Sequence, residues 1–427
     1  MMAFLYNFII LPLLMVIKAF IQPFNKKLKE REGMWEDVMD EFLEKESRLT
    51  GKRVWFHAAS MGEFEQAKPV IEQLKGNYPH IHVIVSFYSP SGYNNQKDYE
   101  YADAVLYMPI DTGQNARYFI NSIKPDVAIF VRYEIWHNHL NYLKRRKIPT
   151  LLICATMPNS TAMRENLFLR SFLKKSYLCF TNIYTINEQQ TEFFRKLGIE
   201  HVETFTDTRF DRIAKTVDMA RQNPILGSNF IRKDDFVLVA GSSWPPCEKM
   251  IIDSYVSIQE YRDKTIKLVI VPHEPTEEHI NELAMQLGKF ILLSEYEKNP
   301  KKDYSEFQIL IVDSIGKLLK LYSSAHAAYI GGGFGVGIHS VTEPAGYGIP
   351  LSTGPKIDNS PDAVQLQKLG AISIVENADS FSNWMKLLID NPEETGRIGK
   401  ISHDFVHKQK GSSKKIARAI EKYLSVD

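Results

Sequence analysis

Residues 53–75 read RVWFHAASMGEFEQAKPVIEQLK. Arg53–Ala58 is a short β-rich run. Ser60 and Gly62 suit a tight turn that opens a helix, and a helix-like stretch follows from Gly62 to Lys75. A strand that turns straight into a helix is the repeating unit of a parallel sheet covered on both faces. Reading outward, the unit recurs. Ile81–Phe87, Ala104–Met108, Asp126–Val131 and Thr150–Ala155 read as further strands, with a helix-like segment at Gln114–Ile123. The pattern restarts at Asp235–Ala240 and continues through Ile266–Val271, Gln308–Val312 and Ala327–Ile330. A polar stretch, 212–234, with Asn223, Pro224, Gly227, Ser228 and Asn229, separates the two sets and reads as a linker. The expected fold class is α/β, with two Rossmann-like lobes. The expected divisions are 1–31 for a hydrophobic anchor segment, 32–215 for a first lobe, 216–234 for the linker, 235–410 for a second lobe and 411–427 for a C-terminal helix.

The 427 residues suit two or three domains. Hydrophobic residues make up 44% and charged residues 24%, a globular composition, and a net charge of +1 excludes polyanion binding through bulk charge. Cys154, Cys179 and Cys247 are far apart and form no CxxC pair, so neither a disulfide framework nor a zinc site is expected. The histidines lack ligand spacing, and no DxD cluster is present to hold a divalent cation. The basic clusters Lys144–Lys147 and His407–Lys415 read as solvated faces or as attraction to an anionic membrane; neither is interleaved with aromatics as a nucleic-acid surface would be.

The N-terminus is apolar. Ala3–Ile17 reads AFLYNFIILPLLMVI, followed by Lys18, Phe20, Ile21, Phe24 and the basic residues Lys26, Lys27, Lys29 and Arg31. Positive charge follows the apolar run and no A-x-A site appears, so a cleaved signal is not expected. The run is short of the roughly 20 residues of a full span. It reads as an interfacial segment or a short uncleaved anchor, with the rest of the chain on the cytoplasmic side, or else as a buried first helix.

Ligands of open parallel sheets lie beyond the carboxyl ends of the strands, and four stretches there carry chemistry. Glu63, in the first helical turn after Arg53–Ala58, can act as a general base or can simply favour a helix N-terminus. Glu134, in Val131-Arg132-Tyr133-Glu134-Ile135-Trp136, can orient a partner or can pair with Arg132. Arg209, in Asp207-Thr208-Arg209-Phe210-Asp211, can stabilise a departing phosphate or lie on the surface. The fourth stretch runs from Tyr329 to Pro350, YIGGGFGVGIHSVTEPAGYGIP. Its glycines, Gly332 and Gly333 among them, let backbone N–H groups approach a phosphate, and a helix expected to begin near Ser340 would add its positive end, with Glu343 accepting from ribose hydroxyls. The run is neither G-x-G-x-x-G nor a P-loop: Val336 stands where the last glycine would be needed, and G-K-[ST] is absent. Gly241-Ser242-Ser243, Pro272-His273-Glu274 and Asp313-Ser314-Ile315-Gly316-Lys317 follow other strands of the same set and converge on a nucleotide pocket.

These residues resemble the Kdo transferases, which move 3-deoxy-D-manno-octulosonic acid from CMP-Kdo to a lipid A precursor. The resemblance runs nearly the whole chain: the apolar N-terminus, HAASMGEFEQAKPVI, YMPID, Glu134-Ile135-Trp136, Cys154-Ala155-Thr156, DTRFD, GSS, DSIGKLLKLY and the GGG…HSVTEPAGYGIP block. It implies a GT-B architecture and a metal-independent inverting transfer with no cofactor beyond the donor substrate. It assigns Glu63 as proton acceptor and Glu134 and Arg209 as transition-state stabilisers. It places CMP contacts at Pro272 and His273, at Ile315, Gly316 and Lys317, and at Ser340, Val341, Thr342 and Glu343. The implied partners are CMP-Kdo, the lipid A precursor and the inner-membrane surface, with no nucleic acid. The family usually has lysine where Arg209 stands, Pro-Arg-His where this chain has Pro272-His273-Glu274, and His-Asn-Pro-Leu-Glu where it has His339 to Glu343. A heptosyltransferase would share the second lobe, a nucleotide-sugar epimerase the architecture; a membrane-tethered binding protein is the third alternative.

Overall fold

The computed structural model describes residues 5–24, 26–158, 160–261 and 264–424. Two compact units emerge, one formed by 1–211 together with 410–427, the other by 212–409.

The first unit is built on a seven-stranded parallel sheet. Its strands are β1 (Arg53–Ala58), β2 (His82–Phe87), β3 (Ala104–Tyr107), β4 (Val127–Val131), β5 (Thr150–Ala155), β6 (Asn182–Thr185) and β7 (Val202–Thr204), in the order β3-β2-β1-β4-β5-β6-β7. Alternate side chains of β1 serve opposite faces. Val54, Phe56 and Ala58 join a core with Phe64, Val70, Ile71 and Leu74 of the Met61–Asn77 helix, whereas Trp55 joins a second core with Ile84, Ala128 and Phe130. The chain winds outward from β1 in one direction and from β4 in the other. The strand order therefore reverses between β1 and β4, and the loops leaving these two strands diverge and open a crevice.

The second unit repeats the plan. β8 (Phe236–Ser243), β10 (Lys264–Pro272), β11 (Phe290–Leu292), β12 (Ile309–Ile311), β13 (Ala327–Ile330), β14 (Leu351–Thr353) and β15 (Ile372–Ile374) lie in the order β11-β12-β10-β8-β13-β14-β15, and the two-residue β9 (Glu260–Tyr261) pairs antiparallel with β10. Here the order reverses between β8 and β13.

Several expectations change. Gly241, Ser242, Ser243 and Pro272 belong to the strands rather than to loops beyond them, because β8 and β10 stay paired to Ser243 and Pro272. The stretch read as a linker begins as helix: Arg209–Gln222 runs through the expected boundary at 215, burying Ile213, Ala214, Val217 and Ala220. The Ser412–Glu421 helix is not a separate appendage, since Ile416, Ala417 and Ile420 join the first unit's core. At the N-terminus, Tyr6–Ile10 forms a π-helical turn, Leu11–Ile21 an α-helix and Gln22–Phe24 a 3-10 turn; Lys26–Glu46 is one helix that crosses the expected boundary at 31. Met1–Phe4 and Asn25 of the expected anchor lie outside the described residues. Among the described residues no helix is long and apolar enough to cross a membrane.

Candidate active site

Glu63 stands in the first turn of the Met61–Asn77 helix and folds back over the turn that precedes it. Its backbone N–H donates to Ser60 Oγ at 3.4 Å, while Oε2 accepts from the N–H of Ala59 at 2.6 Å and of Ser60 at 3.3 Å, a reciprocal capping box. Oε1 makes no hydrogen bond to a described residue. The side chain is buried, only 4% exposed. Burial pushes the Glu63 carboxyl up to about 7, and the negative charge of Glu134 acts in the same direction; the Ala59 and Ser60 N–H groups and the Arg132 guanidinium act against them. A helix cap alone needs neither burial nor a second carboxylate beside it. A carboxylate with one committed oxygen, one free oxygen and an affinity for protons matched to neutral pH is suited to general-base work.

Glu134 follows β4 and is positioned from β1. In the sheet register His57 lies between Ser86 of β2 and Phe130 of β4. Ser86 Oγ accepts from Trp55 Nε1 at 2.8 Å and lies 2.9 Å from His57 Nδ1. Nε2 points at Glu134 Oε2 from 3.6 Å, too long for a direct hydrogen bond. The same Oε2 accepts from Trp136 Nε1 at 2.8 Å. His57 is fully buried, and burial lowers its pKa. The alternative reading of Glu134, an ion pair with Arg132, is not what the structure shows: no such pair forms. Arg132 adopts a left-handed φ of 67°, and its buried Nε has no hydrogen-bond partner, a costly arrangement by roughly 1–3 kcal/mol for the backbone alone. It places a cation where it acts on Glu63 instead.

Arg209 is anchored rather than loose. Its backbone N–H and Nε donate to Asp207 at 2.9 and 2.8 Å, and Asp207 Oδ2 also accepts from Gln66 Nε2 at 2.8 Å. Gln66 lies three residues beyond Glu63, so the Asp207–Arg209 pair is tied to the helix that carries the candidate base.

In the second unit the glycine-rich loop follows β13 beside the end of β8. A side chain at Gly331 would overlap the Ser242 carbonyl, and Gly332, at φ 91°, leaves no space against Gly337. Asn359 closes the loop through both backbone groups of Ile338, at 3.1 and 3.0 Å. Ser242 has a left-handed φ of 50°. The helix expected near Ser340 is only Thr342–Gly346, broken off by Pro344 and the glycines, too short to supply a strong positive end; Val341 caps it and Ser340 is exposed, 3.4 Å from Thr342 Oγ1 through its hydroxyl. Glu343 faces the half-buried Arg212, whose pKa is lowered by burial and raised by that carboxylate. Ile315 and Gly316 are exposed, with Gly316 at φ 80°, and Lys317 Nζ pairs with Glu297 at 2.7 Å rather than standing free. His273 is exposed and stacks on His339, which in turn accepts from Trp244. Among the described residues no three His, Cys, Asp or Glu side chains gather in a metal-holding group.

Sequence reasoning passed over Ser86, Gln66, Asp207, Trp244, His339 and Asn359 as site-building residues. His57 and Ser86 left a signal, since polar residues in otherwise apolar buried strands need partners. The others become visible only once the strands are paired.

Two parallel-sheet α/β units, each with polar side chains at the strand-order reversal, make a GT-B-like architecture. The fold is similar to a UDP-GlcNAc 2-epimerase from Neisseria meningitidis bound to UDP-GlcNAc, with a TM-score of 0.61 and 15% identity over 87% of this chain and 100% of that one. It is also similar to Acinetobacter baumannii MurG, with a TM-score of 0.53 and 14% identity over 87% and 99%. Residues 26–212 match the family model described as 3-deoxy-D-manno-octulosonic-acid transferase (kdotransferase). Proteins named 3-deoxy-D-manno-octulosonic acid transferase from Haemophilus influenzae and Chlamydophila psittaci are 22% and 24% identical to this chain, covering 94% and 88% of it and 92% and 86% of their own lengths. Along most of its length the chain is similar to proteins named Kdo transferases.

Because Glu134 raises the Glu63 pKa, Glu134→Gln is expected to move the Glu63 titration to lower pH. Side-chain carboxyl ¹³C chemical shifts followed from about pH 4 to about 9, on either side of the ordinary glutamate value, check this; an unmoved midpoint would separate the two carboxylates electrostatically.

Proposed function

We propose that this chain transfers Kdo from CMP-Kdo to a lipid A precursor by a metal-independent, inverting displacement in lipopolysaccharide synthesis. The observation that carries the mechanism is the buried Glu63, with its pKa raised to about 7 and one carboxylate oxygen unengaged. Glu63 takes the proton from an acceptor sugar hydroxyl. That oxygen attacks the anomeric carbon of Kdo, the bond from this carbon to the phosphate oxygen breaks, and CMP leaves with the electron pair. Glu134, fixed by Trp136 and oriented toward His57, sustains the pKa of the base. Arg209, steered by Asp207, offsets negative charge as the phosphate departs. The second unit supplies the donor site at Ser242, the glycine loop and Ser340–Glu343.

The same reading assigns the N-terminal segment to the bilayer interface of the inner membrane, with both units on the cytoplasmic side. Phe8, Leu13, Val16 and Phe20 are exposed, a large apolar surface for a segment in water. The segment is also tied to the first unit: Tyr6 Oη donates to Asp111 Oδ2 at 2.8 Å and its ring packs on His137 and Phe172. Acceptor borne in a membrane would thereby be met by the unit that carries the base.

Incubation with freshly generated CMP-Kdo and detergent-dispersed lipid A precursor, read by mass spectrometry, is expected to add Kdo, and folded Glu63→Gln to lose about 10²–10⁴ in rate. No mass gain under conditions in which an established Kdo transferase works would overturn the reading. Removing residues 1–24 is expected to weaken transfer to vesicle-borne acceptor far more than CMP binding; an equal loss of both would make the segment a folding element.

A further inference from the structure

Strands β8 and β13 run side by side, with Gly241 opposite Ile330, so the residues beyond them leave the sheet together. Trp244 follows β8, His273 follows β10, and His339 lies on the far limb of the glycine loop. Their rings form a stack. Centroids are 4.9 Å apart for Trp244 and His273 and 4.3 Å for His273 and His339, and the planes of Trp244 and His339 differ by 4°. Within the stack Trp244 Nε1 donates to His339 Nε2 at 2.8 Å.

That one bond decides the chemistry of the histidine. An indole N–H can only donate, so His339 Nε2 must accept, and the proton of the neutral ring must sit on Nδ1. Protonating the ring would set two donors against each other. Burial, and then the neighbouring His273, also lower the His339 pKa. The ring is seated by backbone: His339 N–H donates to the Gly331 carbonyl at 3.2 Å, and ring Cδ2 lies over Gly332. Nδ1 has no hydrogen-bond partner among the described residues and is not a sealed atom. Cations nearby in sequence are engaged elsewhere, Lys317 with Glu297 and Lys356 with the Gly335 carbonyl.

We propose that Trp244 is a positioning residue that locks His339 as its Nδ1–H tautomer, and that His339 Nδ1–H together with the exposed His273 donates to the phosphate oxygens of a nucleoside monophosphate moiety. The assignment rests on the reading of the second unit as the donor site.

The test compares CMP with cytidine, which lacks the phosphate, by calorimetry on the full chain. Asparagine places an amide near the Nδ1 position, whereas glutamine reaches only the Nε2 position. The ratio of CMP to cytidine affinity is expected to fall by about tenfold or more in Trp244→Phe and in His339→Gln, and to stay within about threefold of wild type in His339→Asn. ¹⁵N NMR is expected to show His339 as Nδ1–H in the wild type with and without CMP, and a mixture of tautomers in Trp244→Phe. An Nε2–H wild-type ring, or an unchanged affinity ratio in folded His339→Gln, would overturn the proposal. If the wild type itself binds CMP no better than cytidine, the donor reading fails and the phosphate assignment with it. If the wild type discriminates and all three variants do so equally, only the present proposal fails.

Discussion

The chemistry depends on a carboxylate kept out of water at the end of a parallel strand. Glu63 is charged only at a cost, because the turn that caps its helix also buries it, and Glu134 adds a like charge nearby. Two backbone N–H groups and the Arg132 guanidinium offset part of that cost without removing it. The balance leaves the group able to hold or release a proton near neutrality. A fully solvated glutamate at the same cap would be a permanent anion and a weak base.

Sheet topology supplies the setting. In both units the strand order reverses beside the first strand, and the diverging loops at that point carry the polar side chains. In the first unit this brings Glu63, after β1, near Glu134, after β4, although three strands and two helices separate them in the chain. In the second it sets Ser242, Trp244 and the glycine loop along one edge. Left-handed backbone at Arg132 and Ser242, two residues with side chains, places local strain at both edges.

The α/β class and two-unit plan were legible because strands such as Val127–Val131 are apolar on both faces and stand between helix-like segments. Three-residue strands such as Val202–Thr204 and Leu351–Thr353 are too short to show a period and were missed. The part of the Arg209–Gln222 helix beyond 211 was read as linker because its charged face dominates the sequence, hiding the spacing of Ile213, Ala214, Val217 and Ala220. Glu63, Glu134 and Arg209 were singled out by their places after strands and by family resemblance. What holds them was not: the His57–Ser86 and Gln66–Asp207 contacts depend on strand register and on packing of distant segments. Lys317 shows the converse limit, since nothing local announces its pairing with Glu297.

The most direct test of the account is the pH dependence of kcat/KM for Kdo transfer by the wild-type enzyme. The account predicts an acid limb that falls tenfold per pH unit below a break near 7, the value to which burial and Glu134 raise Glu63. A rate that stays flat down to about pH 5, where an ordinary glutamate is still ionised, would contradict a buried Glu63 as the base.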